Sequence, residues 1–218
     1  MSIRAEAWPA GGIQPDWTLN VVPSTQDESG RNVPLFESDD RRLVEACLAG
    51  QVEAFDVIVE RHQRAVYQVC FRFVRRHEDA ADLTQEVFLR AYRGLRRFRG
   101  EATLKTWLYR IGVNVCLNHV AGRQMQDTPL DEAPHLPAAG DDPALSFEKT
   151  RESARVRAAV ARLPRKQRAT LILRVYQDLS HREIALALGT TVGAVKANFF
   201  HALGNLKKLL AEDARGTS

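Results

Sequence analysis

The chain has 218 residues, of which 44% are hydrophobic and 27% charged, and carries a net charge of +4. Those fractions are ordinary for a soluble globular protein of one domain or two small ones, and the mild basic excess leans towards an anionic partner. Cys47, Cys70 and Cys116 include no CxxC pair, which argues against a disulfide framework or a zinc ribbon. With no apolar leader and no run of about 18 apolar residues, a soluble cytoplasmic protein is expected.

Residues 1–38 scatter Pro9, Pro15, Pro23 and Pro34 among Gly, Ser, Asp and Asn without sustained periodicity, and are expected to form a disordered extension. From 39 to 123 the pattern is helical and nearly free of proline. Residues 124–143, "QMQDTPLDEAPHLPAAGDDP", bring back prolines and acids and are expected to form a flexible linker. A second helical block covers 144–213, and neither block shows a sustained alternating strand pattern. The expected fold class is therefore all-α, with two small helical domains on a tether. Each buries only a modest core, which favours a docking module over an enclosed catalytic pocket.

In the first block, "EDAADLTQEVFLRAYRGLRRF" repeats Leu83, Val87, Ala91 and Phe98 as one core stripe. Asp82, Gln85, Glu86 and Leu89 lie on another side. A surface leucine flanked by acids and an amide can dock a basic helix, although acids early in a helix also complement its dipole. Then "RGLRRFRGEATLKTW" concentrates Arg93, Arg96, Arg97, Arg99 and Lys105 against the single acid Glu101, around a short turn broken by Gly100.

The helix after that turn has Leu104, Leu108, Ile111 and Val115 as its expected core stripe, with Trp107, Arg110 and Asn114 beside it. Aromatic faces stack unpaired bases, arginine binds phosphate, and asparagine hydrogen-bonds a base edge, a combination suited to opened DNA. A tryptophan at helical spacing is nevertheless more often a core residue.

The second block holds the most specific stretch, "LSHREIALALGTTVGAVKANFFHALGNLKKLL". Ser180 and Glu183 have capping-box spacing, Ile184 and Leu188 face a core, and Gly189 stops the helix in a left-handed turn. Thr191 can cap the next helix, whose expected buried stripe is Val195, Phe199, Leu203, Leu206 and Leu210. The pattern fits a helix-turn-helix, whose second helix would present Thr191, Gly193, Ala194, Lys196 and Ala197, with Phe200 and His201 one turn on, to a DNA major groove; the alternative is a helical hairpin that only closes the domain. Upstream, Arg165, Lys166 and Arg168 fit either flanking phosphate contacts or a solvated face.

Catalytic signatures are missing. The histidines form no HExxH, Cys116 and His119 share a helix face without third and fourth ligands, and no P-loop or nucleophile elbow occurs. No enzyme activity, metal or cofactor is expected.

Taken together, "DAADLTQEVFLRAYRGLRRFRGEATLKTWLYRIGVNVCLNH" resembles region two of bacterial sigma factors of the extracytoplasmic-function (ECF) group. "LPRKQRATLILRVYQDLSHREIALALGTTVGAVKANFFHALGNLKKLL" resembles region four, over roughly 39–212 in all. The resemblance implies that Asp82, Gln85 and Glu86, with Leu89, dock on the beta-prime coiled coil of core RNA polymerase. It implies that the loop from about Phe98 to Thr103 holds a base flipped from the minus-ten element. Phe98, Arg99, Gly100, Glu101, Lys105, Trp107, Arg110 and Asn114 then form the minus-ten set. The recognition helix, through Thr191, Gly193, Ala194, Lys196, Ala197, Phe200 and His201, would read the minus-thirty-five element. Promoter DNA, the polymerase beta flap and an anti-sigma factor are the further implied partners. Many relatives carry a serine–arginine pair just after the position of Lys196, where this chain has Ala197 and Asn198, so their minus-thirty-five sequence does not carry over. A free-standing helix-turn-helix regulator of duplex DNA is the nearest rival, and it leaves the first block without a role.

Overall fold

The computed structural model describes residues 24–26, 32–124 and 143–215, which form eight α-helices and one short β-hairpin. The expected linker lies almost wholly outside the described residues, as does most of the expected extension. In the first block, α1 (Asp40–Leu48), α2 (Glu53–Val74), α3 (His77–Gly94) and α4 (Leu104–Gln124) pack as a bundle. In the second, α5 (Pro143–Arg162), α6 (Arg165–Tyr176), α7 (His181–Leu188) and α8 (Val192–Arg215) pack with α8 against the other three.

Local chemistry sets the helix ends. The Asp39 carboxylate accepts from the Arg42 N–H at 2.8 Å and caps α1. Arg75, in the left-handed region at φ 64°, ends α2 and returns its N–H to the Phe71 carbonyl at 2.9 Å. The first core centres on Leu43, Ile58, Val66, Val69, Phe73 and Leu108, all essentially inaccessible. Each such side chain contributes about 1.5–3 kcal/mol on burial.

The second block does not hang free. One cluster of buried side chains continues from the first bundle through Ala169, Ile172, Leu173, Leu179, Ile184 and Val195. Polar contacts cross the same junction. The Tyr109 hydroxyl, on α4, donates to Gln177 Oε1 at 2.5 Å, and the Arg72 guanidinium lies 3.9 Å from the centroid of the Tyr176 ring. Arg168 is buried and donates through Nη2 to the Phe73 carbonyl in the last turn of α2. It stands against the Phe73 ring at 5.2 Å, and burial pushes its guanidinium down to about 10. The expected role of Arg168 at DNA phosphate or on a solvated face is therefore wrong. It satisfies a helix-end carbonyl that would otherwise be orphaned in the interior. Arg165 and Lys166 remain exposed.

A second, smaller core, Val160, Leu163, Leu171 and Ala202, joins α5 and α6 to α8. Here the expected stripe of α8 needs correction. Val195 and Ala202 are buried and Phe199, Leu206 and Leu209 flank them, whereas Leu203 is 46% exposed. Eight residues beyond Val195 the helix has turned about 80° past the core direction, while seven bring it nearly back.

The expectation of disorder also fails at the end of the extension. Ser24–Gln26 (β1) pairs antiparallel with Asn32–Pro34 (β2), and a 3-10 turn, Leu35–Glu37, buries Leu35. Arg61 of α2 holds this turn by donating to the Phe36 carbonyl at 3.2 Å and the Ser38 carbonyl at 2.8 Å. The same guanidinium pairs with Asp40 at 2.8 Å, and His62 Nε2 lies 3.0 Å from the other Asp40 oxygen. Proline-rich composition gives no sign of this anchoring, because its partners sit more than twenty residues away.

Hydrogen bonds to His62, and then Arg61, hold the Asp40 carboxyl below its usual 3.8 against the opposing push of burial. A depressed carboxylate stabilises the fold above its unfolded pKa, and that stabilisation is lost as the pH falls through the folded value. Asp40→Asn is therefore expected to cost about 1–2 kcal/mol at neutral pH, discounted because Asp40 is partly solvated. Urea midpoints of variant and parent should converge as the pH drops below about 3.8. A difference independent of pH would show that the carboxylate charge plays no part.

Candidate nucleic-acid interface

The helix-turn-helix is built as its sequence specifies. Ser180 Oγ accepts from the Glu183 N–H at 3.2 Å, and Glu183 Oε2 accepts from the Ser180 N–H at 2.8 Å. Those bonds hold the Glu183 carboxyl below its ordinary range. Gly189 closes α7 at φ 60°, where a side chain would be strained, and Thr191 Oγ1 accepts from the Ala194 N–H at 3.2 Å to begin α8. The turn thus fixes α8, and one open face of its first turns carries Thr191, Gly193, Lys196, Ala197, Phe200 and His201 to solvent, with Ala194 half-buried. Phe200 is 74% exposed, an unusual state for a phenylalanine that nothing in the fold requires. Small residues at Gly193 and Ala197 leave room for close approach to a groove, and Lys196 projects between them.

The first block presents a different surface. A 3-10 turn, Leu95–Arg97, leads into the loop at Phe98, and Gly100 takes a left-handed φ of 70°. Thr103 Oγ1 accepts from the Thr106 N–H at 3.2 Å and starts α4. The Phe98 and Trp107 rings lie 5.4 Å apart. Both are half-buried, so Trp107 is neither a simple core residue nor a free platform. Its ring leans on Gly94, where an added Cβ would stand 3.6 Å away, and its other side walls a cleft of about 490 Å³.

That cleft gathers Phe98, Arg99, Gly100, Glu101, Trp107 and Arg110, and adds Arg96 and Arg97, which sequence reasoning had noted only as local charge. An open groove of about 840 Å³ flanks the loop on its α1 side, lined by Asp39, Asp40 and Glu45 among others. Four arginines against one glutamate make the first cleft the more cationic of the two, since Arg41, Arg61 and Arg99 are balanced by those three acids in the second. Lys105 and Asn114 are exposed but do not line it. Lys105 instead lies 5.8 Å from the Tyr109 ring centroid and acts electrostatically on Glu183. Leu186 of α7 closes part of the same cleft.

On α3, Asp82 and Gln85 are exposed, Leu89 is 52% exposed, and Glu86 accepts from Arg90 Nε at 2.6 Å. Leu83, Val87 and Ala91 are buried as expected, while Phe98 is only partly so. Sequence reasoning passed over Tyr92, half exposed beside Leu89 with its ring 4.9 Å from Phe55. Its i+3 spacing from Leu89 was the available signal. The result is an acidic patch with an apolar centre, on a helix whose other face is the core.

Comparison with known proteins covers both blocks of the chain. Residues 58–125 match Sigma-70 region 2, and residues 153–206 match Sigma-70, region 4. The RNA polymerase sigma-H factor of Pseudomonas aeruginosa is 32% identical over 185 residues, covering 81% of this chain and 96% of that protein. The ECF RNA polymerase sigma-E factor of Escherichia coli is 36% identical over 172 residues, covering 75% and 90%. Among solved structures, CnrH in complex with the cytosolic domain of CnrY is 27% identical with a TM-score of 0.59, over 80% of this chain and 98% of that one. The sigma factor RpoE in complex with the anti-sigma factor NepR from Bartonella quintana shares the fold at 23% identity and a TM-score of 0.57, over 73% and 98%. With both sigma regions present in order and a curated relative matched over nearly its whole length, the chain belongs to the ECF group of sigma-70-family RNA polymerase sigma factors.

Proposed function

We propose that this sigma factor works through three separate surfaces: the acidic face of α3 for core polymerase, the arginine-rich cleft before α4 for the melted minus-ten strand, and the open face of α8 for the minus-thirty-five duplex. The observation that carries this reading is the cleft, where Trp107, Phe98 and four arginines enclose a space of about 490 Å³ beside the loop. Stacking faces and phosphate-binding groups in one open cleft suit an unpaired strand better than a duplex. The chain itself supplies no reaction chemistry. It acts in the cytoplasm, where polymerase is, and no described helix is long and apolar enough to cross a membrane. An anti-sigma factor is a further partner in this reading, supported by the family and by the CnrH and RpoE complexes. The domain limits proposed are 39–123 for region two and 144–213 for region four. A free-standing repressor would bind duplex promoters alone and would have no use for the cleft or the acidic face.

In vitro transcription with purified core polymerase on a genomic promoter library tests the reading directly and returns both promoter elements at once. Three substitutions test its parts. Glu86→Lys is expected to keep the unfolding midpoint and to abolish co-elution with core polymerase; normal co-elution would remove α3 from the polymerase interface. Lys196→Ala is expected to weaken promoter binding by about 1–3 kcal/mol with relaxed preference at one position if it reads a base. Even weakening with a smaller salt slope marks a phosphate contact, and no change in either shows that α8 is oriented otherwise. Asn114→Ala is expected to leave core binding intact and to slow promoter melting, read as permanganate reactivity of minus-ten thymines. An unchanged melting rate and base preference would make Asn114, which stands outside the cleft lining, a bystander.

A further inference from the structure

The open face of α8 is poor in groups that read bases through hydrogen bonds. Val192–Arg215 contains no arginine before Arg215, and Thr191 Oγ1 is engaged by the Ala194 N–H at 3.2 Å. Asn198 is half-buried, which leaves Lys196 and His201 as the exposed polar side chains between Val192 and Ala202. What the face offers in their place is apolar. Phe200 is 74% exposed and belongs to neither buried core, and the edge of His201 lies against its ring, with centroids 5.8 Å apart. It stands about 140–160° round the helix from the buried Val195 and Ala202, at the solvent pole of α8. Ala197 and Gly193 lie along the same line, one and two turns nearer the helix start. A Cβ added at Gly193 would meet nothing closer than Thr191 Oγ1 at 4.0 Å.

We propose that Phe200, together with Ala197 one turn before it, reads the C5-methyl group of thymine in the major groove, so that the minus-thirty-five element of this sigma factor is defined by A·T pairs where those two residues face it. The proposal rests on the reading of α8 as the minus-thirty-five helix and adds the chemistry of the base that it selects.

Thymine alone among the four bases presents a methyl group in the major groove, and alanine and phenylalanine are side chains suited to meet it. Contact with that methyl removes apolar surface of both partners from water. Adenine, guanine and cytosine present donors and acceptors there, which an aromatic ring desolvates without replacing their hydrogen bonds. Selection therefore comes from attraction to thymine and from a penalty on the other bases. Gly193 and Ala197 keep the approach to the groove open. Lys196, four residues before Phe200, attracts phosphate or a guanine edge, and neither contact singles out thymine. Another protein could also cover an exposed ring, but this face suits DNA better. It carries Lys196, Lys207 and Lys208 and no acid before Glu212, a charge that matches a phosphate backbone.

The test uses the full chain as holoenzyme on a promoter returned by the library transcription. Each thymine of the minus-thirty-five element, on either strand, is replaced in turn by deoxyuridine, which keeps the base pair and removes only the methyl. Competition binding against the unmodified promoter gives the change in affinity. The parent is expected to bind about three- to fivefold less tightly at each contacted position, the equivalent of one buried methyl. Phe200→Ala is expected to bind the unmodified promoter more weakly by at least that factor, and to bind thymine and deoxyuridine equally at the position that Phe200 faces. Phe200→Leu keeps an apolar side chain and is expected to retain part of the preference. The deoxyuridine series on the parent carries the test whatever the stability of either variant.

A minus-thirty-five element without an A·T pair, a parent indifferent to every deoxyuridine, or a Phe200→Ala variant with the parent's preference at every position would each overturn methyl reading. So would loss of core polymerase from Phe200→Ala in the absence of DNA, which would assign the exposed ring to a protein contact. Failure of the underlying reading looks different. Holoenzyme affinity would then stay the same when the whole minus-thirty-five element is scrambled, whereas sensitivity to scrambling with indifference to deoxyuridine keeps α8 as the reader and removes Phe200 from base selection.

Discussion

The α4 helix is enclosed by α2 and α3 on one side and by α7 on another, and that enclosure decides which of its side chains reach solvent. Leu104, Leu108, Val113 and Val115 are buried, and so are Tyr109 and Cys116 on a neighbouring flank. A helix buried so widely leaves only a narrow exposed strip, on which Arg110 and Asn114 stand. The partial burial of Trp107 belongs to the same geometry. A ring that closes the core at its edge also forms a wall of the cleft, so one residue belongs to both.

Burying tyrosine and arginine at a domain junction has a cost that fixes the junction's geometry. Desolvation pushes the Tyr109 hydroxyl up to about 12 and the Arg168 guanidinium down to about 10, so each needs a partner in a defined place. Gln177 and the Phe73 carbonyl provide those partners. Apolar contact alone would let the domains slide, whereas directional bonds select one docking. Arg168 Nε nevertheless finds no partner among the described residues, so the buried guanidinium is only partly satisfied.

The first core also carries two buried thiols, Cys70 of α2 and Cys116 of α4, in hydrogen-bonding contact. That contact and burial raise the Cys116 thiol and keep it protonated. With no solvent access they behave as small apolar residues that bond each other, and reactive-thiol chemistry has no route to them. The packing of the bundle, and not a covalent bond, holds α2 to α4.

Much of the site could be read from the sequence because its signals are local. The capping box at Ser180, the left-handed Gly189, the Thr191 cap and the core spacing of Leu83, Val87 and Ala91 each depend on residues within two turns, and each is found where expected. The basic loop around Gly100 was legible for the same reason. What the tertiary structure alone decided are the fates that depend on distant partners. Arg168 reads as a surface cation until Phe73, 95 residues earlier, supplies a carbonyl. Tyr109 reads as an off-stripe residue until α6 delivers Gln177, and the turn at Leu35 reads as tail until Arg61 binds its carbonyls. Periodicity reports which side of a helix is apolar, but not how many partners cover it, and a contact across a linker leaves no mark on either sequence it joins. The packing of the second block against the first is of that kind, which is why the sequence specified both domains but only the folded chain brought them together.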